Sequence, residues 1–142
     1  MFKEILLTVD LNDEASWSKA LPTAVQFCRA FDARLHVITV VPDFGMTIVA
    51  QYFPEGYEKQ MLQEADKKLG EFVDHHVPDD VSARHIVGHG TIYEEVLRAA
   101  KELNVDLIIM ASHRPELRDY LIGPNAARVM RHATASVLVV RD

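Results

Sequence analysis

Short, unbroken apolar runs alternate along this chain with longer segments in which apolar residues return every third or fourth position. Ile5-Leu-Leu-Thr-Val9 is the first run, and a run of this length reads as a strand buried on both faces. Trp17, Ala20, Leu21, Ala24, Phe27, Cys28 and Phe31 then recur at helical steps. They predict a helix that ends near Phe31, with Asn12 or Asp13 as its cap and Glu14 in its first turn. Pro22 falls inside that span and predicts a kink. Leu35 to Val41 is a second strand, closed by Pro42. Asp43 to Pro54 is a long connection, and a helix follows from about Glu55 to His75. Pro78-Asp79-Asp80 reads as a turn. Ser82 to Val87 alternates enough for an edge strand, and Gly88-His89-Gly90 turns the chain. Thr91 and Glu94 have the spacing of a capping box, opening a helix to Leu103. Asp106 to Ala111 is a fourth buried strand, a helix follows Gly123 and runs to about His132, and Ser136 to Val140 is the last strand.

Regular alternation of buried strands and helices predicts an α/β fold: a doubly wound parallel sheet with helices on both faces, built as one domain over residues 1–142. Two strand orders fit this pattern. In the order 3-2-1-4-5 the winding reverses between strands one and four; in the flavodoxin-like order 2-1-3-4-5 it reverses between strands one and three. Ligands of such sheets bind past the carboxyl ends of the strands at the reversal. The first order brings Asp10 and the Ala111–Arg114 stretch to one crevice.

Composition narrows the function. Net charge is −6, from 21 acidic and 15 basic residues, which argues against broad nucleic-acid binding. No apolar stretch approaches the roughly 20 residues of a membrane span, and the start lacks the apolar core and cleavage site of a signal peptide. The single cysteine, Cys28, has no partner for an internal disulfide and falls on an apolar stripe, which suits a core position in a reducing cytoplasm.

The candidate chemistry concentrates after strand four. Ser112, His113 and Arg114 leave the strand, and Pro115 has no N–H for a ladder. Gly123-Pro124-Asn125 then opens a helix, whose first turn offers unpaired N–H groups and positive dipole charge. Arg114 adds a planar fork of donors. Together these suit a negatively charged group. Asp10, at the end of strand one, can accept from a ribose hydroxyl or an amino group, or serve as a helix cap. No Gly-x-Gly-x-x-Gly or Gly-Lys-Ser/Thr motif is present, which excludes a dinucleotide fingerprint and a P-loop. Gly88-x-Gly90 reads as a structural turn. Of seven histidines, His75 and His76 are expected to point apart on their helix, and His85 and His89 to straddle a strand end. With one cysteine and no His-Glu-x-x-His, a zinc site is not expected. His132 suits the carboxyl end of a helix. Ser112 and His113 are sequence neighbours and cannot easily form a nucleophile–base pair, and no Gly-x-Ser-x-Gly elbow exists, so catalysis by an own nucleophile is not expected.

Several blocks taken together resemble the universal stress protein family. They are Ile5-Leu-Leu-Thr-Val-Asp10, Leu35-His-Val37, Gly88-His-Gly90, Asp106-Leu-Ile-Ile-Met-Ala-Ser-His113, Gly123-Pro-Asn and Arg131-His-Ala-Thr-Ala-Ser-Val-Leu-Val-Val-Arg141. The resemblance covers the whole chain. It implies the 3-2-1-4-5 sheet and, for the nucleotide-binding branch, ATP in the crevice between strands one and four, with Mg2+ an open companion. Carried over residue by residue, Thr8, Val9 and Asp10 line the adenine and ribose side, with Asn12 where the family often has serine. Val37 gives backbone contacts to adenine. Met110, Ala111, Ser112, His113 and Arg114 pass along ribose and phosphates, and Gly123, Pro124 and Asn125 cup the phosphates. The family's phosphate motif is Gly-x-x-Gly, nine residues, then Gly-Ser/Thr. Here Ala111 and Arg114 stand at the two glycines, eight residues separate Arg114 from Gly123, and Pro124 replaces the hydroxyl residue. The wording resembles a recurring variant of that loop. The loop is therefore read as altered more than dead; the alternative that these departures support is a stress-response protein that acts through protein contacts without nucleotide. The resemblance also implies a homodimer through Ser136 to Val140, a regulatory or sensing role, and at most slow ATP hydrolysis.

Overall fold

The computed structural model describes residues 1–42, 56–112 and 124–141. Five strands form one parallel sheet: β1 (Glu4–Thr8), β2 (Arg34–Val41), β3 (Ala83–His89), β4 (Leu107–Ala111) and β5 (Ser136–Val140). Their order is β3-β2-β1-β4-β5, so the flavodoxin-like alternative is excluded. The register pairs Leu7 with Val37 on one side and Ile109 on the other. Four helices connect the strands: α1 (Ala20–Phe31), α2 (Tyr57–His76), α3 (Ile92–Glu102) and α4 (Pro124–His132).

The handedness of parallel crossovers explains the layering. From β1 through β2 to β3 the chain steps one way along the sheet. Crossing to β4 and β5 it steps the other way. Right-handed connections then put the first two helices on one face and the last two on the opposite face. Alternate residues of the central strands serve the two sides. Ile5, Leu7, Leu35, Val37, Leu107 and Ile109 pack with α1 and α2 through Leu21, Ala24, Leu69 and Val73. Leu6, Ile38, Ile108 and Met110 pack with α3 and α4 through Val96, Ala99, Ala126 and Val129. Continuous apolar strands are required because neither face of the middle strands meets water, and each fully buried Leu or Ile stabilises the fold by about 1.5–3 kcal/mol.

Several local expectations change. The first helix begins at Ala20, after a separate 3-10 turn over Glu14–Ser16 that Asp13 caps by accepting the Ala15 N–H. Pro22 therefore stands in the first turn of α1, where a backbone N–H has no helical partner to lose, and no mid-helix kink arises. Strand β3 continues through Gly88 and His89, so Gly90 alone, at φ +137°, turns the chain. Thr91 occupies the cap position of α3 without a side-chain hydrogen bond, so the capping box does not form. Glu95 ties the end of β3 instead: its Oε1 accepts the His89 N–H at 2.8 Å, and its other oxygen accepts from Arg98. His75 and His76 do not diverge; their ring centroids lie 4.8 Å apart. His85 and His89 are both within β3 and face α2, where they meet Asp66 and Glu58. Asp106 precedes β4, and its carboxylate accepts the N–H groups of Lys3 and Glu4, anchoring the start of β1. Among the described residues, no group of three potential ligands could hold a metal ion, and no helix is long and apolar enough to cross a membrane.

Candidate functional site

Winding reverses between β1 and β4, and a crevice of about 440 Å3 opens there beyond the strands' carboxyl ends. Its volume lies in the range of small-molecule sites, roughly 300–1,000 Å3. Strand ends form the floor: Thr8 at the end of β1 with Val9 after it, Ile38 to Val40 from β2, and Met110 with Ala111 from β4. Ile92 and Val96 of α3 add an apolar wall. Asp10, Asn12, Asp13 and Ser16 form one polar rim, and Asn125, in the first turn of α4, faces them from across the reversal.

The rim next to β1 is held by its own backbone. Val9 donates its N–H to Ile38 O at 2.9 Å, completing the sheet. Beyond it the chain leaves the ladder. Asp13 N–H bonds Asp10 O at 3.0 Å, and Asn12 N–H bonds Asp10 Oδ1 at 2.9 Å, so the Asp10 side chain closes an Asx turn. Asp10 N–H is taken by Ser16 Oγ at 2.8 Å. Asp10 itself stays exposed, and no other hydrogen bond to its carboxylate forms among the described residues. Asp10 is therefore not a helix cap, a place that Asp13 takes; one of its carboxylate oxygens closes the turn and the other is left exposed.

The structure brings seven of the expected residues into the crevice lining: Thr8, Val9, Asp10, Asn12, Met110, Ala111 and Asn125. Val37 is not among them. It is fully buried under α1 and α2, and the β2 residues that reach the crevice are Ile38, Thr39 and Val40. The reason is register: Val37 pairs with Leu7 in mid-sheet, while the crevice begins at the next pair, Thr8 with Ile38. Ser112 uses its N–H on Val140 O at 3.0 Å and does not line the crevice, and Pro124 is exposed at the start of α4. His113, Arg114 and Gly123 lie outside the described residues. Sequence reasoning missed the polar lining residues Asp13, Ser16 and Thr39 and the apolar Ile38, Val40, Pro42, Ile92 and Val96.

Charge is uneven around the site. The lining carries two carboxylates, Asp10 and Asp13, and no cationic side chain among the described residues. An anionic group therefore fits the α4 side, where the N–H groups of the first turn lack helical acceptors. Helix α4 is held against α3 there by packing and by Arg128, whose guanidinium carbon sits 5.1 Å from the Tyr93 ring centroid.

The universal stress protein family model matches residues 1–141. The chain belongs to that family. Universal stress protein G of Shigella flexneri is 30% identical over 99% of this chain and 100% of its own length. A universal stress protein solved in complex with cAMP superposes with a TM-score of 0.62 at 20% identity, covering 99% of this chain and 97% of that one. A universal stress protein family protein from Arabidopsis thaliana, solved with AMP bound, gives a TM-score of 0.63 at 12% identity, covering 98% and 91%. At these identities the two solved structures establish the shared fold.

Proposed function

We propose that this universal stress protein binds an adenine nucleotide, with ATP the expected ligand, in the crevice between β1 and β4, and that the bound state regulates a stress response. The observation that carries the reading is the pairing of a free Asp10 carboxylate oxygen on one rim with the first turn of α4 on the other. Between them lies an apolar slot, lined by Ile38, Val40, Val96 and Met110, that suits a flat base. Asp10 accepts from the ribose, and the α4 turn receives the phosphates. Arg114 supplies the positive charge that the described lining lacks, and His113 donates a hydrogen bond to the phosphates or packs against the base, with Mg2+ an open companion. The cAMP and AMP complexes of the two structural neighbours support an adenine ligand. Thermal unfolding with AMP, cAMP, ATP and ATP with Mg2+ tests the reading: a ligand at 100 times its Kd stabilises by about 2.7 kcal/mol. No shift with any of them at millimolar concentration contradicts it.

A second reading has its own support. Pro124 at the first position of α4 removes one N–H from the turn that would hold phosphate. In that case the family role is carried by protein contacts. Under either reading we propose a homodimer through β5. This strand ends the sheet, and Val137 to Val140 remain half-exposed, an apolar edge that invites strand pairing. Sedimentation as a monomer at micromolar concentration contradicts the dimer.

A further inference from the structure

We infer that Ser16 is a positioning residue of this crevice, fixing the Asp10 carboxylate for a ribose hydroxyl without touching the ligand itself. The inference rests on the nucleotide reading above and names a residue that reading does not use. Three groups surround the Ser16 hydroxyl: Asp10 N at 2.8 Å, Asp10 O at 3.1 Å and Asp13 O at 2.7 Å. The hydroxyl carries one hydrogen and two lone pairs. It accepts from Asp10 N–H and gives its hydrogen to the nearer carbonyl, that of Asp13. Its bonding capacity is thereby directed into the turn, although Ser16 lies on the crevice wall.

The consequence falls on Asp10. Its N–H is the first that the sheet no longer uses, because Val9 makes the last bond to β2. Ser16 supplies the acceptor that the ladder stops providing. At the other end of the residue, Asn12 N–H holds Oδ1 at 2.9 Å. Backbone and side chain of Asp10 are thus tied at separate points, and the second carboxylate oxygen is presented in one direction. The 3-10 turn Glu14–Ser16 exists to bring Ser16 back under Asp10: Asp13 caps it, and Ser16 N–H closes on Asp13 O at 3.0 Å. An alanine at position 16 leaves the Asp10 N–H without that acceptor and loosens the Asp10 backbone, and with it the direction in which the carboxylate is carried. Such a hydrogen bond is worth about three- to tenfold in an equilibrium constant.

The test is a cycle of affinities in which the ligand is one of the variables. ATP and 2′,3′-dideoxy-ATP are titrated into wild-type protein, Ser16→Ala, Ser16→Thr, Asp10→Ala and the Ser16→Ala/Asp10→Ala double variant. Ser16→Ala should weaken ATP by about three- to tenfold. It should leave the dideoxy analogue unchanged and add nothing in the Asp10→Ala background, and Ser16→Thr should restore ATP affinity. A Ser16→Ala penalty equal for both ligands, or additive with Asp10→Ala, overturns the inference, because a merely structural serine would act that way. Amide exchange at Asp10 and Asn12 separates this failure from failure of the nucleotide reading. If wild-type protein binds neither ligand, the nucleotide reading fails; unchanged exchange at those two amides in Ser16→Ala then overturns the clamp as well, and faster exchange confined to them upholds it.

Discussion

Glu4 and His36 form a buried acid–base pair at the amino-terminal end of the sheet, and replacing Glu4 by alanine should destabilise the protein in a way that pH can dissect. His36 Nε2 lies 2.8 Å from Glu4 Oε2, the His36 side chain is 4% exposed and that of Glu4 15%. His36 Nδ1 is buried without a hydrogen-bond partner. The ring therefore fits best with its proton on Nε2, donating to Glu4, since an unpaired acceptor costs less than an unpaired donor. Glu4→Ala strands that donor in the core, at about 1–3 kcal/mol. For a chain of this length, 2 kcal/mol corresponds to a fall of roughly 6 °C in Tm. Arg34 also bonds Glu4, but its side chain is 55% exposed, so Arg34→Ala should cost less than about 1 kcal/mol. The sign with pH follows from the carboxyl. Burial alone would raise the Glu4 pKa, but the hydrogen bonds from His36 and Arg34 and the Arg34 charge together outweigh burial and hold it below the ordinary 4.5. A depressed folded pKa contributes stability that is present above the unfolded value and is lost as pH falls through the folded one. Urea unfolding, followed by far-UV circular dichroism, should therefore show wild type minus Glu4→Ala steady near pH 7 and shrinking below about 4.5. Other carboxylates titrate in both proteins and cancel in the difference. Equal stability at pH 7, or a difference that fails to shrink as pH falls well below 4.5, refutes the reasoning.

Three further outcomes follow from the packing. His76 stacks on Phe72 with ring centroids 4.5 Å apart and meets Trp17 edge-on at 4.7 Å; burial, with the neighbouring His75 charge, lowers its pKa below 6.5. The fluorescence of Trp17, the single tryptophan, should drop on acidification with a midpoint below 6.5 that His76→Phe abolishes, and a midpoint at or above 6.5 contradicts the lowered pKa. Gly90→Ala places a side chain at φ +137° and should destabilise by about 1–3 kcal/mol in urea melts; an unchanged midpoint would show the turn tolerates it. Cys28 is buried in the α1 core, where burial pushes its thiol up to about 11, so labelling by a thiol reagent at neutral pH should wait on unfolding. Rapid labelling of the native protein would contradict this.

Much of the fold was legible in the hydrophobic pattern because buried parallel strands must be apolar on both faces, and all five strands stand where their runs stand. Strand order was not, since periodicity says which residues are buried and not which strand pairs with which. Val37 illustrates the same limit at the site. An apolar run buried on both faces hides how far each residue lies from the strand's end, and Ile38 to Val40 reach the crevice instead. Local boundaries slipped where side chains compete with the helix. Trp17 continues the apolar period of α1, but the Asp10–Ser16 segment satisfies its donors within its own turn, and the helix waits until Ala20. Thr91 has the right spacing for a capping box, yet its side chain makes no cap bond, because spacing alone does not set the side chain's direction. Ser16 was hidden because nothing in the sequence distinguishes a clamping hydroxyl from a solvated one. The only signal was a polar stretch from Asn12 to Ser16, interrupted by Ala15 alone, between a strand and a helix.

The central claim is nucleotide binding at the β1–β4 reversal, and calorimetric titration of nucleotide-stripped protein with ATP and Mg2+, beside Asp10→Ala, tests it most directly. A charge-assisted hydrogen bond is worth about 1.5–3 kcal/mol, so the account expects saturable heat at one site per chain and a Kd at least tenfold weaker in Asp10→Ala. No heat at millimolar ATP, or equal affinity in the two proteins, contradicts it.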